Sequence, residues 1–357
     1  MLQTHAKEVA EDAGISPDAF SASFSWRKRF LAKYQLSLRR KTRIGQITPA
    51  DSDAVARQFR LDVLHVIEQE EIVEIYNADQ TAMNYEYLPT RTYDTTATRT
   101  VWIHNAGAEK KRITVMLLAD MYGNRKTPFA ILKQGNSRRA DTQQYNRTHQ
   151  NGFGRGVWAD VEPLMKKYDA EIYGNEKGWW NAELSISFLK YHFGSRDNLG
   201  EKILLLWDDF SGHWTEAVQA YAASINVFLM KIPPGYTSSC QPADIAWMKP
   251  FKLRLRSLWV EHLQSELRGH QNRASGKKFK LKGPSRDTLM AWLTSAWENL
   301  PTATIASGFN RLAIPMDKRE FTAQDQQLYS TEIDGLVGKL EALHVAVDVG
   351  VDVGLHD

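Results

Sequence analysis

The spacing of apolar side chains divides the chain near Ile72. Before this point they recur every three or four residues, which is typical of amphipathic helices. Helices are predicted over residues 2–13, from Phe20 to Tyr34, and over the connector from Val55 to Glu70. After Ile72, short apolar runs of strand length alternate with helical spacing. The pattern therefore predicts a small all-α segment followed by a larger α/β domain.

The second part contains five candidate strands. The second and third are separated by a Tyr-Gly-Asn turn, which favours a hairpin. Residues 133–160 are rich in glycine and polar side chains and predict a long mobile segment, and the proline-rich residues 233–244 predict an irregular loop. The predicted strands cover residues 72–79, 112–120, 127–132, 203–207 and 226–230, and helices are predicted over 160–168 and 181–193, from Trp214 to Ala223, from Ile245 to Leu263 and from Trp292 to Leu300.

The candidate strand at 203–207 organises this domain. Its five consecutive apolar residues predict a strand that is buried on both faces. Asp208, Asp209 and His213 follow it directly. Ligands of open α/β sheets bind at the carboxyl ends of strands, so these side chains are candidates for a metal or proton-transfer site. An aspartate after a strand is also a common helix cap, and Asp209 or Ser211 could cap the next helix instead.

Composition narrows the class of protein. The 357 residues are 43% hydrophobic and 24% charged, values that are ordinary for a globular protein. No apolar run approaches the roughly 18 residues of a membrane span, so no membrane association is predicted. The single cysteine, Cys240, excludes a disulfide framework and a cysteine-based zinc site. These features predict an intracellular protein.

Charge is distributed unevenly along the chain. Residues 1–45 hold nine Lys or Arg and four acids, a net +5, whereas residues 318–357 hold three bases and eight acids, a net −5. A basic end is suited to a polyanion such as DNA. The predicted divisions are a DNA-binding segment at 1–45, a connector helix at 46–70, a catalytic domain at 71–317 and an acidic tail at 318–357.

Three aspartates each follow or begin an apolar element in the second part. They are Asp79, Asp208 and Asp244, and 35 residues separate the last two. Carboxylates that converge can hold a pair of divalent cations, one of which activates the attacking oxygen while the other stabilises the leaving oxygen. Hard oxygen ligands favour Mg²⁺ or Mn²⁺. The spacing alone leaves open whether the three meet.

The amino-terminal segment resembles a known DNA-binding domain. The sequences FSWRKRF at residues 24–30 and YQLSLRRKT at residues 34–42 are similar to the second helix-turn-helix of the centromere-protein-B-type domain of pogo, Tigger and jerky-like transposases. That domain usually contains an earlier helix-turn-helix, so the segment is predicted to be partial. A basic helix that merely faces solvent remains the alternative. The resemblance implies DNA contacts by Arg27, Lys28, Arg29, Arg39, Arg40 and Lys41.

The larger part resembles the pogo/jerky-type transposase domain of the DDE superfamily endonucleases. The matching blocks, in order, are NADQT at 77–81, KRITV at 111–115, LWDDFSGH at 206–213, PPGYTSSCQPAD at 233–244 and PFK at 250–252. Gln80 stands where many relatives have glutamate. The resemblance implies a ribonuclease-H-like fold, in which a mixed α/β sheet is flanked by helices. It also implies that Asp79, Asp208 and Asp244 are the catalytic metal ligands.

The same resemblance implies a two-metal Mg²⁺ or Mn²⁺ enzyme that cleaves and joins DNA in the nucleus and that could form a homo-oligomer. Asp209 and His213 are expected to support the acids. The cations expected to hold the DNA backbone are Lys111, Arg112, Lys249 and Lys252, although each could equally be a surface charge. Two alternatives remain: a domesticated DNA-binding protein with a silent nuclease fold, and a protein without DNA affinity.

Overall fold

The computed structural model describes residues 6–34 apart from 8, 11 and 17, and residues 49–87, 111–272 and 283–312. The chain divides into two compact units, one containing the described residues of the first 46 positions and the other containing residues 49–312. The acidic tail predicted at 318–357 and the predicted DNA contacts Arg39, Arg40 and Lys41 lie outside the described residues.

The first unit contains helix α1 (Phe24–Lys33). The helix begins at Ser23, whose side chain accepts a 3.2 Å hydrogen bond from the backbone N–H of Trp26. An aromatic row runs along one side of it, through Phe20, Trp26, Phe30 and Tyr34, with successive ring centroids 4.7–5.2 Å apart. Lys28 and Arg29 are exposed. Four aromatic rings therefore share one side of α1, while Lys28 and Arg29 face solvent.

The second unit is a single sheet with helices packed on it. Its strands are β1 (Glu74–Asn84), β2 (Arg112–Asp120), β3 (Phe129–Lys133), β4 (Glu171–Asn175), β5 (Ile203–Trp207) and β6 (Val227–Lys231). Its α-helices are α2 (Pro49–Glu70), α3 (Ala140–His149), α4 (Arg155–Tyr168), α5 (Ala182–Phe193), α6 (Glu216–Ser224), α7 (Thr237–Cys240), α8 (Met248–Asn272), α9 (Arg286–Glu298) and α10 (Thr302–Arg311).

The sheet is mixed, with the strand order β4-β3-β2-β1-β5-β6. The first three strands pair antiparallel, whereas β5 runs parallel to β1, β6 runs parallel to β5 and β4 runs parallel to β3. The carboxyl ends of every strand except β2 consequently lie at one edge of the sheet. The predicted α/β architecture, a mixed sheet flanked by helices, is confirmed.

Each face of the sheet has its own core. Along β1 and β2 the odd-numbered residues, such as Ile75 and Val115, pack with α8, α9 and α10, and the even-numbered ones pack with α5 and α6. All five residues of β5 are buried, as predicted. Alternation along a strand therefore assigns Asp79 to the face that carries α8.

Several elements differ from the prediction. Strand β1 was expected to end at Asp79 but continues to Asn84, because its pairing with β2 extends to Arg112. The segment 133–160 is not a long mobile segment, since it contains α3 and the start of α4. Strand β4 and helix α10 were not predicted at all.

Two helical boundaries were also predicted wrongly. Helix α6 is capped by Thr215, whose side chain accepts a 3.4 Å hydrogen bond from the N–H of Val218, so neither Asp209 nor Ser211 caps it. The loop 233–244 is not wholly irregular. It contains α7 and leads into a π-helix at Ala243–Trp247, which continues directly into α8. None of the described helices is long and apolar enough to cross a membrane.

Replacing Phe309 tests the packing that supports the π-helix. Its ring is fully buried on α10 and stacks on Trp247, with the ring centroids 5.9 Å apart. We expect Phe309→Ala to lower the free energy of unfolding by about 3–5 kcal/mol because the large cavity cannot refill. Leu61→Ala, at an exposed position of α2, should change it by less than about 0.5 kcal/mol. Equal losses for the two variants, measured by urea denaturation, would contradict this packing.

Candidate active site

Asp79 occupies the middle of β1, where it pairs with Leu117 of β2. Its residue is only 8% exposed. Because β1 pairs with β2 here, and with β5 as far as Asn77, the position of this carboxyl group is set by the sheet rather than by a loop. A carboxylate held within a sheet has little freedom to move away from charges placed next to it.

Asp208 is the first residue after β5 and is fixed by its own turn. Its Oδ1 accepts a 3.2 Å hydrogen bond from the N–H of Phe210 and lies 3.2 Å from Nε2 of His213. The indole N–H of Trp214 donates to its backbone carbonyl at 2.8 Å. The turn therefore orients both the side chain and the backbone of Asp208.

Asp244 is the second residue of the π-helix and is exposed. The neighbouring Ala243, Ala246 and Trp247 are buried. A π-turn carries one more residue per hydrogen-bonded ring than an α-turn, and such turns occur often at functional sites. The buried residues on either side hold the helix against the core while the carboxylate of Asp244 faces outward.

One buried amide connects the three chain segments that carry these acids. Nδ2 of Asn77 donates to the carbonyl of Leu206 at 2.9 Å, and its Oδ1 accepts from the N–H of Ala243 at 2.9 Å. Asn77 is two residues before Asp79, Leu206 is two residues before Asp208, and Ala243 immediately precedes Asp244. The Asn77 side chain thus fixes the relative positions of all three segments.

The charges of Asp208 and Asp244 act on the carboxyl group of Asp79. The pKa of its carboxyl group is raised well above the ordinary value, chiefly by burial and then by the negative charges of Asp244 and Asp208. Lys252, on the first turns of α8, opposes this shift. The structure therefore brings the three predicted aspartates into one electrostatically coupled group, with Lys252 beside it.

His213 connects Asp208 to the interior. Its ring is fully buried and stacks on Trp207, with centroids 3.8 Å apart. Burial lowers its pKa, while the hydrogen bond and charge of Asp208 partly oppose the shift, so the ring is neutral at pH 7. Nδ1 lies 3.0 Å from the hydroxyl of Ser185, which accepts a 2.9 Å hydrogen bond from the indole N–H of Trp180. Nδ1 thus faces the Ser185 hydroxyl, and Nε2 is the ring nitrogen that faces Asp208.

The other predicted site residues are dispersed. Asp209 directly follows Asp208, and Lys249 lies five residues after Asp244; both side chains are exposed. Arg112 instead begins β2 opposite Asn84, five residues from Asp79, and its guanidinium lies 5.9 Å from the ring centroid of Trp179. Lys111 precedes it and is exposed. In the first unit, Arg27 lies over the ring of Phe24 at 4.8 Å.

The comparisons with known proteins agree with this geometry. A profile described as DDE superfamily endonuclease matches residues 110–309, more than half of the chain. The chain belongs to the DDE superfamily endonucleases. The matched region includes two of the three coupled aspartates, Asp208 and Asp244; Asp79 lies on β1, before it.

Two mammalian proteins resemble this DDE chain along most of its length. The human "Pogo transposable element with KRAB domain" is 27% identical over 337 residues, which is 93% of this chain and 50% of the human protein. The mouse protein of the same name is 26% identical and covers 88% of this chain. The chain therefore spans about half the length of these relatives.

Solved structures of Mos1 transposase are similar at a lower level. The Mos1 strand transfer complex aligns with 90% of this chain and 72% of its own, with 11% identity and a TM-score of 0.47. The Mos1 mariner paired end complex with Mn aligns with 91% of this chain and 73% of its own, with 11% identity and a TM-score of 0.44.

The donor chemistry of the DDE acids fits a divalent cation. Three carboxylates repel one another around the buried Asp79, and only a positive charge would let all three ionise together. Within the described residues, no group of three His, Cys, Asp or Glu side chains is arranged so that it could hold a metal ion. The three carboxylates would therefore have to come closer together when a cation binds.

Sequence reasoning missed three buried polar side chains around the acids. Asn77 lies in the NADQT block, and its two-residue spacing from Asp79 already placed both on one face of a strand. Ser185 is on α5, and nothing in its local sequence pointed to His213. Gln241 is fully buried near Asp244, and neither polar atom of its side chain has a hydrogen-bond partner in the part of the chain that the structure describes.

Neutralising Asp79 should stabilise the metal-free protein. Because its folded-state pKa is raised, ionisation costs stability as the pH rises above the unfolded-state value, near 3.8. Asp79→Asn should therefore unfold at higher denaturant concentration than the wild type at pH 7, with a difference that shrinks towards pH 3. Denaturation in EDTA across this pH range measures the effect. A constant difference at every pH would show that the Asp79 charge is not responsible.

Removing the Asn77 amide should loosen the acid site. Asn77→Ala leaves the carbonyl of Leu206 and the N–H of Ala243 without their buried partner, at a cost of about 3 kcal/mol in unfolding free energy. Asn198→Ala, an exposed asparagine before β5, should cost less than about 1 kcal/mol. Thermal and urea denaturation compare the two. A loss at Asn77 no larger than at Asn198 would show that the amide does not hold the segments together.

Proposed function

We propose that this chain is a transposon-derived DNA endonuclease and strand-transfer enzyme that depends on Mg²⁺ or Mn²⁺. Its substrate would be a DNA phosphodiester, and Asp79, Asp208 and Asp244 would be the metal ligands. The observation that carries the proposal is the electrostatic coupling of these three acids, which are distant in sequence and gather around one buried carboxyl group.

In the proposed reaction, a water molecule or a DNA 3′-hydroxyl attacks the phosphorus in line and a phosphorus–oxygen bond to the leaving group breaks. When bound, the two cations would make the attacking oxygen more nucleophilic and neutralise charge on the leaving oxygen. The protein's part is positional. Strand β1 holds Asp79, the turn at Phe210 and His213 orients Asp208, and the Asn77 amide keeps the segment before Asp244 in place.

Cations beside the acids support a DNA substrate. Lys252 lies close enough to Asp79 to favour its ionised form. Lys249 is exposed three residues earlier on α8, a spacing that puts both side chains on one helix face. We infer that these two lysines contact the strand being cut. Arg27, Lys28 and Arg29 on α1 would bind DNA elsewhere, as expected of a partial centromere-protein-B-type helix-turn-helix.

The relatives support the biological setting of the proposal. The mammalian relatives are named as pogo transposable elements. The Mos1 structures include a strand transfer complex and paired-end complexes, among them complexes with Mn and with Mg. By analogy we propose that this chain acts on chromosomal DNA in the nucleus and pairs two DNA ends as a homo-oligomer.

A domesticated DNA-binding protein with a silent nuclease fold is the second candidate. One observation favours this candidate. Among the described residues, no three His, Cys, Asp or Glu side chains are arranged so that they could hold a metal ion. This candidate predicts DNA affinity that falls with salt, as phosphate contacts require, and no cleavage with either cation. The two proposals therefore differ in one measurable activity.

Replacing Asp208 separates the two candidates. We expect the wild type to nick supercoiled plasmid with Mg²⁺ or Mn²⁺, and Asp208→Asn to be slower by more than about 100-fold, because losing a metal ligand removes several kcal/mol of transition-state stabilisation. The matched control, Asp197→Asn, removes an exposed acid before β5 and should cleave like the wild type. Nicking by Asp208→Asn at the wild-type rate would refute the enzymatic proposal, and DNA binding without nicking by the wild type would favour the silent fold.

A further inference from the structure

A second polar site lies beyond the ends of β3 and β4. It is an open pocket of about 650 Å³ between the segment after β3, helix α3 and the start of α4. Amide and hydroxyl groups dominate its lining, which contains no acid and a single cation, Arg155. This volume lies within the range of small-ligand sites. The acid site does not use any of these residues.

A buried side chain in this pocket lacks a partner. Asn146 is 8% exposed and lines the pocket, and in the described part of the chain its side-chain amide has no hydrogen bond. Oε1 of Gln150, which also lines the pocket, is buried without a partner. Buried polar groups are almost always hydrogen-bonded. The Gln150 oxygen can only accept a hydrogen bond, whereas the free Asn146 amide N–H groups can donate to a ligand oxygen, so Asn146 is the side chain that points to a ligand with acceptor atoms.

The amino terminus of α4 opens at the same place. Its cap residue is Gly154, which offers no side chain to the free N–H groups of the first turn, and that turn contains no acid. The amide nitrogen of Asn146 lies 4.0 Å from the point where a Cβ of Gly154 would be. Exposed N–H groups at a helix start, with the positive end of the helix dipole, bind anions and phosphate in particular.

The pocket is built on a rigid loop. Gly152 has a φ of +89°, and a Cβ there would lie 2.0 Å from the carbonyl oxygen of Gly174, so only glycine fits. The neighbouring Asn151 accepts a 2.8 Å hydrogen bond from the N–H of Gly174 and donates to the carbonyl of Ile172 at 3.0 Å. These contacts attach the loop to β4 and fix the start of α4 before any ligand arrives.

The surrounding charges favour an anion. Residues 133–155 contain five Lys or Arg and one acid, Asp141, which is paired with Arg139 at 2.6 Å. Two acids outside the segment contact it: the Asn136 amide donates to Glu176 at 3.0 Å, and Arg147 lies 3.8 Å from Glu183. Tyr145, on the pocket rim, is 54% exposed. An exposed aromatic ring beside a phosphate site can stack on an unpaired base.

The sheet places this pocket and the acids at one edge. Strands β1, β3, β4 and β5 all end there, and the pairing of β2 with β1 and β3 puts the end of β3 about five residues beyond Asp79. With 3.3 Å per residue and 4.8 Å per strand, the separation is roughly 20 Å. This distance is comparable to the width of a DNA duplex, so one DNA molecule could reach both sites.

We propose that this pocket binds a phosphate group of the DNA strand, held by the amino terminus of α4, Arg155 and the amide of Asn146, with the adjacent nucleotide against Tyr145. This inference rests on the proposed DNA substrate. It assigns a DNA-binding role to a surface that contains none of the predicted contacts, and it gives the amino end of α4 a function apart from folding.

Gly156 allows a test in which binding and folding respond in opposite directions. It is the second residue of α4, and a Cβ there would meet no atom within 4 Å. Gly156→Asp adds a negative charge to the first turn of α4. A negative charge stabilises the amino terminus of a helix, so the melting temperature should stay equal or rise. The same charge repels a phosphate. The matched control, Gly156→Asn, has nearly the same shape without the charge.

The measurement is fluorescence anisotropy of the full chain with labelled single-stranded and duplex oligonucleotides over a range of salt. We expect Gly156→Asp to bind the single strand about fivefold more weakly than Gly156→Asn. Its plot of log affinity against log salt should be less steep by about 0.7, the value for one lost phosphate contact on a single strand. Asn146→Ala should weaken binding as well. Competition by inorganic phosphate alone, compared with a mononucleotide, reports whether Tyr145 adds to the affinity.

The outcomes separate the pocket from the proposed function. If the wild type binds DNA and the Asp and Asn variants bind it equally, the phosphate site is refuted while the DNA-binding function stands. If the wild type binds no DNA even at low salt, the proposed function fails and the site fails with it as a DNA contact. Weaker binding by Gly156→Asp with undiminished melting temperature supports the site.

Discussion

The acid site depends on one buried side-chain amide. The two polar atoms of the Asn77 side chain connect β1 to Leu206, near the end of β5, and to Ala243, the residue before Asp244. An aliphatic residue of similar size could fill this space, but it could not satisfy a carbonyl on one side and an N–H on the other. The amide therefore determines which segments meet, and the acids follow because each lies one or two residues further along its segment.

This arrangement opposes stability for the sake of function. The sheet buries Asp79, and the fold then places two further negative charges near it. Left without a cation, the site favours a protonated Asp79, which is a poor ligand. Lys252 supplies only partial compensation. A group of this kind is expected where a cation completes the structure, and natural proteins retain such unfavourable sites when selection acts on chemistry rather than on stability.

The sequence predicted those parts of the fold that depend on local pattern. The fully apolar β5, the hairpin of β2 and β3, and the connector helix α2 all have a period or turn that identifies them. Strand β4 was missed because its short Glu-Ile-Tyr-Gly-Asn sequence shows no clear alternation, and its place is set by pairing with β3. Helix α3 was missed because its sequence is almost entirely polar, and the predicted helix at 160–168 captured only the later part of α4.

The candidate site residues that lie in the family-like sequence blocks could be predicted. Those that reach the site only through contacts between distant segments could not. Asp79, Asp208 and Asp244 were assigned from the blocks around them. Ser185 of α5 contacts His213, 28 residues later, and Gln241 is fully buried although it lies in a polar loop sequence, so neither could be inferred from spacing. The pocket at Asn146 belongs to the same class, since it is formed by three segments that the pattern described as a single mobile stretch.

The π-helix at Ala243–Trp247 has a consequence for how this site could have arisen. Its wider turn accommodates one residue more than an α-helix of the same rise, so deleting one residue there would restore a regular helix and rotate what precedes it by about 100°. Asp244 would then leave the sheet edge while the hydrophobic packing of α8 persisted. A single codon insertion is thus enough to turn the side chain at the start of this helix from one direction to another.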